Sequence, residues 1–314
     1  MRLRVGISAC LLGREVRWDG GHKRDRFLTD TLAPYVEWVP VCPEVELGLG
    51  VPRETIRLER GEGGAVRLVA PASGRDLTAA MRRLAEARVA ALEALDLSGY
   101  VLKKDSPSCG MERVQVWTGR GAARTGRGAF AAVLMERLPL LPVEEEGRLH
   151  DLALRESFVE RVFAYRRVRD LFASRWSAGD LVRFHASEKL LVLAHDPAAY
   201  RRLGSLVARV SSTPRAEMSR RYQELHGAAL ARPATRGRHA NVLQHIAGHL
   251  KERADAGDRR ELAETITQYR RGLVPLVVPL TLVKHHVRRL GLDYLAQQTY
   301  LDPHPKELML RNHA

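Results

Sequence analysis

The three cysteines are the residues of this 314-residue chain that are best suited to binding a soft metal. Cys10, Cys42 and Cys109 are far apart in the sequence, and each follows a run of apolar residues that predicts a buried strand. In an open parallel sheet the loops at the carboxyl ends of the strands form the ligand crevice, so we expect the three thiols to meet there. Thiolates favour zinc or an iron–sulfur cluster, and three ligands leave one metal position open. Three buried structural thiols are the alternative.

Polar residues beside these cysteines are candidates for catalysis. Glu44 is two residues from Cys42, and a carboxyl group in a partly dry crevice can act as a general acid or base. An ordinary surface carboxylate, or a helix N-terminal residue, is the alternative. Ser106 and Ser108 can hydrogen-bond substrate or cluster sulfide, or can simply shape a turn. Gly110 allows another group to approach the backbone closely.

The loop after Cys10 supplies weaker candidates. Asp19 can bind a ring N–H of a substrate, although holding the tight turn before Gly20 and Gly21 is the more probable role. Trp18 can stack on a base or pack as an ordinary aromatic residue. Arg127 can contact an anionic group, but a lone arginine is weak evidence.

Strand and helix patterns alternate over the first half of the chain. Periodicity predicts strands at 3–8, 37–41, 100–103 and 114–116, a β-hairpin at 56–58 and 65–68, and helices at 24–34, 77–95 and 129–138. This alternation predicts an α/β fold, with a Rossmann-like parallel sheet in a layered N-terminal domain.

The second half of the chain is predicted to be helical throughout. The segment 138–147 contains two prolines and a glycine and is expected to be a boundary, which predicts domains at 1–147 and 148–314. Beyond it the apolar spacing follows the helical period, so an all-α domain is expected. Helices are predicted at 150–175, 178–195, 197–209, 214–231, 236–255, 258–272 and 276–290.

Composition narrows the function classes. The chain carries 51 Lys and Arg against 37 Asp and Glu, and this net charge of +14 is compatible with tRNA or RNA as a partner. The basic residues are spread along the whole chain, however, and genome composition explains them equally well. No apolar run is long enough for a membrane span, and the first residues do not read as a secretory signal. A sparse, odd number of cysteines favours a reducing, cytoplasmic location over a disulfide framework.

Three ordered motifs resemble one known family. The segments 8–22 (SACLLGREVRWDGGH), 42–53 (CPEVELGLGVPR) and 104–110 (KDSPSCG) are similar to those of the 2-thiouracil desulfurase family, over about residues 3–145. The resemblance implies that the three cysteines bind a 4Fe–4S cluster, whose fourth iron is open to the sulfur of a thiolated base. It also implies that Glu44 transfers protons and that Ser106 is a supporting polar residue.

The second half resembles the YbgA-like domain, which often follows the first and has no established function. The resemblance rests on five places, namely 185–189, 195, 200–204, 241–245 and 294–303. His239, His245 and His249 are candidate metal ligands. Only the last two share a helix face, and no carboxylate completes a His-Glu-x-x-His pattern. Solvated or capping histidines are therefore expected.

Three functions follow from these patterns. The first is a non-redox, iron–sulfur-dependent desulfurase that acts on a small thiolated pyrimidine such as 2-thiouracil. The second is an enzyme that binds tRNA or another RNA and presents a thiolated base to the same cluster. The third is a non-catalytic iron–sulfur or zinc module. Turnover of a thiolated base separates the third from the others, and salt-dependent RNA binding separates the first two.

Overall fold

The computed structural model describes residues 3–61, 63–119 and 121–312 and divides into two compact units. The N-terminal unit is Met1–His150 and the helical unit is Asp151–Ala314. Across the described ranges, no helix is both long and apolar enough to cross a membrane.

A four-stranded parallel sheet forms the centre of the N-terminal unit, in the order β2-β1-β6-β9. Its strands are β1 (Leu3–Ser8), β2 (Val36–Val41), β6 (Gly99–Leu102) and β9 (Val143–Glu145). Ser8 pairs with Val41, and Ile7 pairs with Val101. This register brings the carboxyl ends of β1, β2 and β6 to one edge of the sheet, as the sequence predicted.

A second, mixed sheet has the order β5-β4-β3-β7-β8. Its strands are β3 (Arg57–Arg60), β4 (Val66–Ala70), β5 (Arg75–Asp76), β7 (Val114–Thr118) and β8 (Gly121–Gly126). The predicted hairpin is confirmed as the antiparallel pair β3–β4. The sequence did not predict β5, β8 or β9. Of these, β9 lies inside the segment 138–147 that was expected to be only a boundary.

Three α-helices belong to the N-terminal unit: α1 (Pro43–Glu46), α2 (Thr78–Ala94) and α3 (Ala129–Arg137). The helical period of α2 buries Met81, Ala85, Val89 and Leu92, which confirms the predicted apolar face. The predicted helix at 24–34 is wrong in type. A π-helix at Phe27–Leu32 and a 3₁₀ turn at Ala33–Tyr35 stand in its place. Further 3₁₀ turns are Ala9–Leu12 and Arg148–His150.

The helical unit confirms the predicted all-α fold, and no strand occurs in its described residues 151–312. In the described part of this unit, five helices begin after a residue whose side chain accepts a hydrogen bond from a backbone N–H of the first turn. These capping residues are Asp151, Ser177, Asp196, Thr235 and Asp255. Its helices are α4 (Leu152–Ala173), α5 (Ala178–His195), α6 (Pro197–Val207), α7 (Arg215–Leu230), α8 (Arg236–Leu250), α9 (Ala256–Arg271), α10 (Val277–Arg289) and α11 (Asp293–Ala296). Two 3₁₀ turns follow, at Lys306–Leu308 and Leu310–Asn312.

Candidate active site

A cavity of about 340 Å³ lies at the edge of the parallel sheet where β1, β2 and β6 end. Cys10, Cys42 and Cys109 all line it, together with Glu44 and Ser106. The topology explains this meeting, because each cysteine follows a different strand of one sheet and parallel strands end at the same edge. Sequence positions up to 99 residues apart therefore contribute to one cavity.

The three thiols are free and lie in a desolvated environment. Cys10 and Cys109 are buried, and Cys42 is partly exposed, with its Sγ 3.7 Å from the Val16 carbonyl oxygen. Burial raises the pKa of Cys10 to about 11. Burial also raises the pKa of Cys109, and the nearby Glu44, Cys10 and Cys42 raise it further. The thiols are close enough to influence one another and are neutral when no metal is bound.

The donor set consists of soft thiols. Three such groups around one cavity match the ligand chemistry of an iron–sulfur cluster. In the part of the chain that the structure describes, no three His, Cys, Asp or Glu side chains are arranged to hold a single metal ion.

The loop that carries Cys109 is held by hydrogen bonds to the Ser106 side chain and by close contacts of its backbone. The Ser106 Oγ accepts hydrogen bonds from the backbone N–H of Ser108 and of Cys109, at 3.2 and 3.0 Å. A Cβ atom on Gly128 would lie only 2.5 Å from the Ser108 carbonyl, so a glycine is required where α3 begins. A Cβ on Gly110 would lie 2.9 Å from the Ser106 carbonyl oxygen, which confirms the expected close approach. Ser106 thus shapes the turn that presents the third thiol.

Glu44 is held from two sides by hydrogen bonds. Its Oε2 accepts bonds from Nε and Nη2 of Arg53, at 3.0 and 2.5 Å, and its Oε1 accepts a bond from the Ser108 Oγ at 3.0 Å. Arg53 also donates to the carbonyl oxygens of Val16 and Gly50. The Arg53 side chain is only 4% exposed, so the position of the carboxylate is well defined.

Arg53 and Lys103 are site residues that the sequence analysis missed. Both line the cavity. Lys103 donates from Nζ to Glu146 at 2.5 Å, and its positive charge acts to lower the pKa of Cys10. Arg53 is the last residue of the second quoted motif, and Lys103 directly follows β6. Those positions were the only signals in the sequence. Together they bring positive charge to a cavity suited to anionic thiolates.

The weaker candidates are placed as follows. Asp19 does not line the cavity, and its Oδ1 accepts a bond from the Gly21 N–H at 3.1 Å, which holds the tight turn. Trp18 lines the cavity and is 46% exposed. Ser108 is fully buried and reaches the site through Glu44. Arg127 donates to the Met111 carbonyl oxygen and does not line the cavity.

The histidines of α8 are placed differently from one another. His245 and His249 are exposed, as expected. His239 is buried at 5% exposure, and its Nδ1 is 3.0 Å from the Tyr300 hydroxyl, so the expectation of a solvated or capping residue was wrong there. The ring lies on the face of α8 that packs into the core, and this could not be read from its spacing to the other two.

An α/β fold whose parallel strands deliver three free thiols and a fixed carboxylate to one cavity defines a cysteine-lined enzyme site. A family model described as 2-thiouracil desulfurase matches residues 5–146, and one described as a protein of unknown function (DUF1722) matches residues 189–305. The chain belongs to the 2-thiouracil desulfurase family, with a DUF1722 region after it, and is a desulfurase.

The chain is also similar to individual proteins. The chain is 32% identical over 158 residues to the uncharacterized protein YbgA of Escherichia coli (strain K12). This alignment covers 50% of this chain and 94% of YbgA. It is 33% identical over 135 residues to the uncharacterized protein YbbK of Bacillus subtilis (strain 168). This alignment covers 41% of this chain and 88% of YbbK. A solved structure titled 4Fe–4S-dependent thiouracil desulfidase TudS is 34% identical, covers 50% of this chain and all of that one, and has a TM-score of 0.40.

Proposed function

We propose that the N-terminal unit replaces the sulfur of a small thiolated pyrimidine by oxygen, with Cys10, Cys42 and Cys109 binding a 4Fe–4S cluster. One observation carries the proposal: three free thiols and the Glu44 carboxylate, which follow three different strands, line a single cavity. The balanced reaction is thiocarbonyl plus water giving carbonyl plus hydrogen sulfide. It needs no electron donor or acceptor.

The cluster fits the residues that line the cavity. When bound by three cysteines, it supplies an open Lewis-acidic iron for the sulfur of the substrate. Because burial raises the pKa values of the thiols, loading the cluster must release their protons. The cations Lys103 and Arg17 lie near enough to lower the pKa of Cys10, and they favour the thiolate that a metal requires.

Glu44 is proposed to accept a proton from the water that attacks the substrate. Arg53 donates two hydrogen bonds to Oε2. Among the described residues, Oε1 accepts a bond from Ser108 alone and can accept a second hydrogen bond. We assign to Oε1 the proton of the attacking water. Arg53 and Ser108 are then positioning residues that aim the carboxylate.

The other predicted site residues take supporting roles in this proposal. Ser106 holds the turn that presents Cys109, through the two backbone bonds that its Oγ accepts. Asp19 holds the neighbouring loop, in which Trp18 lines the cavity and offers a ring face to a planar base. The tRNA or RNA partner and the cytoplasmic location stay predictions, which salt-dependent tRNA binding and cell fractionation would test.

The test is sulfide release from 2-thiouracil by anaerobically reconstituted protein, for the wild type and for Glu44→Gln. The amide keeps the shape of the side chain but cannot serve as a base, so we expect a loss of about 10²–10⁴-fold with iron content unchanged. Glu46→Gln is the matched control, because Glu46 belongs to the same short helix, pairs with Arg88 and does not line the cavity.

Two results would contradict this account. Full activity in Glu44→Gln would remove Glu44 from the mechanism. A fully loaded cluster in the wild type, without sulfide release from any thiolated base, would favour the non-catalytic module instead.

A further inference from the structure

The helical unit contains a second cavity, of about 210 Å³, whose walls carry ionisable side chains. Glu156 and Glu160 reach it from α4, His195 from the end of α5, Arg236 and His239 from α8, and Tyr269 from α9. These residues come from four separate helices. The desulfurase reaction uses none of them.

Part of this set is fully paired. Glu160 faces His195 Nε2 with Oε1, and its Oε2 accepts a bond from Arg311 at 3.1 Å. His195 Nδ1 lies 2.6 Å from the Arg232 carbonyl oxygen, which can only accept, so that nitrogen carries a proton. Although burial opposes it, His195 and Arg311 lower the pKa of Glu160 far below its usual range. This pairing therefore consists of the Glu160 carboxylate, the His195 ring and the Arg311 guanidinium.

Three other polar groups on the cavity wall can form further hydrogen bonds. Glu156 accepts a bond from Arg311 at its Oε1, and its Oε2 has no partner among the described residues, although the side chain is only 9% exposed. The Tyr269 hydroxyl is buried and likewise lacks a hydrogen-bond partner in the described part of the chain. His239 uses Nδ1 toward Tyr300, which leaves its Nε2 unpaired within the described residues. Buried polar groups without partners cost stability, and such groups around a cavity indicate a ligand.

The charge of the cavity restricts that ligand. Burial raises the pKa of Glu156 to about 7, and above that pH the carboxylates of Glu156 and Glu160 face the Arg311 guanidinium and the His195 ring. Burial keeps His239 neutral by lowering its pKa to about 3. An added buried charge would lack a partner, which is unfavourable. Arg236 also lines the cavity, with its guanidinium carbon 5.8 Å from the centre of the Tyr269 ring, and its charge acts to lower the pKa of Tyr269. Because Arg236 is exposed, solvent screens this charge. An uncharged ligand fits best.

We propose that this cavity binds a small uncharged molecule that presents an N–H and a C=O group side by side, as a cyclic amide, imide or urea does. Glu156 Oε2 accepts the N–H of the ligand. The Tyr269 hydroxyl forms a hydrogen bond with the carbonyl oxygen of the ligand. His239 Nε2 forms a hydrogen bond with the remaining polar edge of the ligand. The volume of about 210 Å³ admits a small ring.

The experiment measures binding of 2-pyridone to the full-length protein by ligand-observed NMR and calorimetry. N-methyl-2-pyridone is the matched probe, because it keeps the ring and the carbonyl but lacks the N–H. We expect 2-pyridone to bind about tenfold more tightly, the value of one hydrogen bond. Acetate and methylammonium test the charge argument, and neither is expected to compete.

Two variants locate the site. Tyr269→Phe removes an unpaired hydroxyl, so thermal stability should stay equal or rise while the affinity for 2-pyridone falls about tenfold. Glu156→Gln keeps the shape and the Arg311 contact but replaces the open acceptor by an N–H donor, and it should weaken binding by a similar factor. Tyr294→Phe is the control, because Tyr294 lies outside this cavity.

The proposal is overturned if 2-pyridone does not bind, if the N-methyl probe or a charged probe binds equally well, or if both variants bind like the wild type. A cavity that holds only water would give the first of these results. Sulfide release should persist in Tyr269→Phe and Glu156→Gln. The binding test does not depend on sulfide release, so it can be carried out even if the desulfurase proposal fails.

Discussion

The cavities of the two units are built by different physical means. In the N-terminal unit, loops at three strand ends meet, and close backbone approaches such as that of Gly128 to Ser108 set their positions. In the helical unit, long helices carry charged side chains inward, and these charges are paired by residues such as Arg311. The first design presents reactive atoms, whereas the second stabilises a polar interior. We therefore expect the two units to respond differently to the loss of a charge and to acid.

The largest expected effect is the loss of a buried ion-pair partner in the helical unit. Glu188 has no exposed surface, and Arg167 Nε donates to it at 2.7 Å. Arg167→Met leaves His226 as the one partner of this carboxylate among the described residues. We expect the free energy of unfolding of the unit to fall by about 3–5 kcal/mol. Urea denaturation followed by the helical circular dichroism signal measures it.

Arg220→Met is the control for this substitution. Arg220 pairs with exposed Glu224 at 2.9 Å on the same face of α7, so the expected change is only about 0.5 kcal/mol. Equal effects of the two substitutions would contradict the view that buried charges stabilise the helical unit.

A smaller effect is expected from mild acid. Burial lowers the pKa of His185 to about 4, of His239 to about 3 and of His304 to about 4, against an ordinary value of 6.5. The unfolded chain then binds protons below pH 6.5 that the folded unit does not, so this stability is present above pH 6.5 and is lost as the pH falls. Glu156, with its raised pKa, takes up a proton while folded and offsets part of the loss.

The net loss in the helical unit between pH 7 and pH 6 should be on the order of 1–2 kcal/mol. The N-terminal unit should change less, because its two histidines, His22 and His150, are exposed. Hydrogen exchange, read separately for peptides of the two units, measures both. Glu156→Gln should enlarge the loss. An N-terminal unit that is equally or more acid-sensitive would contradict the comparison.

Much of the fold could be predicted because its elements carry strong local patterns. The strand Leu3–Ser8 and the helix Ala178–His195 have the predicted bounds, since apolar runs and helical spacing mark them clearly. The strand Gly121–Gly126 was missed because its small and polar residues show no alternation. The helix predicted at 24–34 is mainly a π-helix, and periodicity does not distinguish the two in so short a segment.

The two cavities differ in how far the sequence revealed them. Cysteines are rare and chemically distinct, so their positions after strands pointed to a shared site. Arg53 is one of many arginines, and only the fold shows that it holds Glu44. Glu156 and Glu160 are four residues apart, as on an ordinary solvated helix face. Their burial depends on Arg311, about 150 residues away in the chain, and local spacing carries no sign of it.

The central claim is that three distant thiols bind one cluster, and metal analysis after anaerobic reconstitution tests it most directly. The wild type should hold about four iron and four sulfide per chain. Cys10→Ala, Cys42→Ala and Cys109→Ala, each tested alone, should lose most of both while remaining folded. A full complement of iron and sulfide in any one of these variants would contradict the claim.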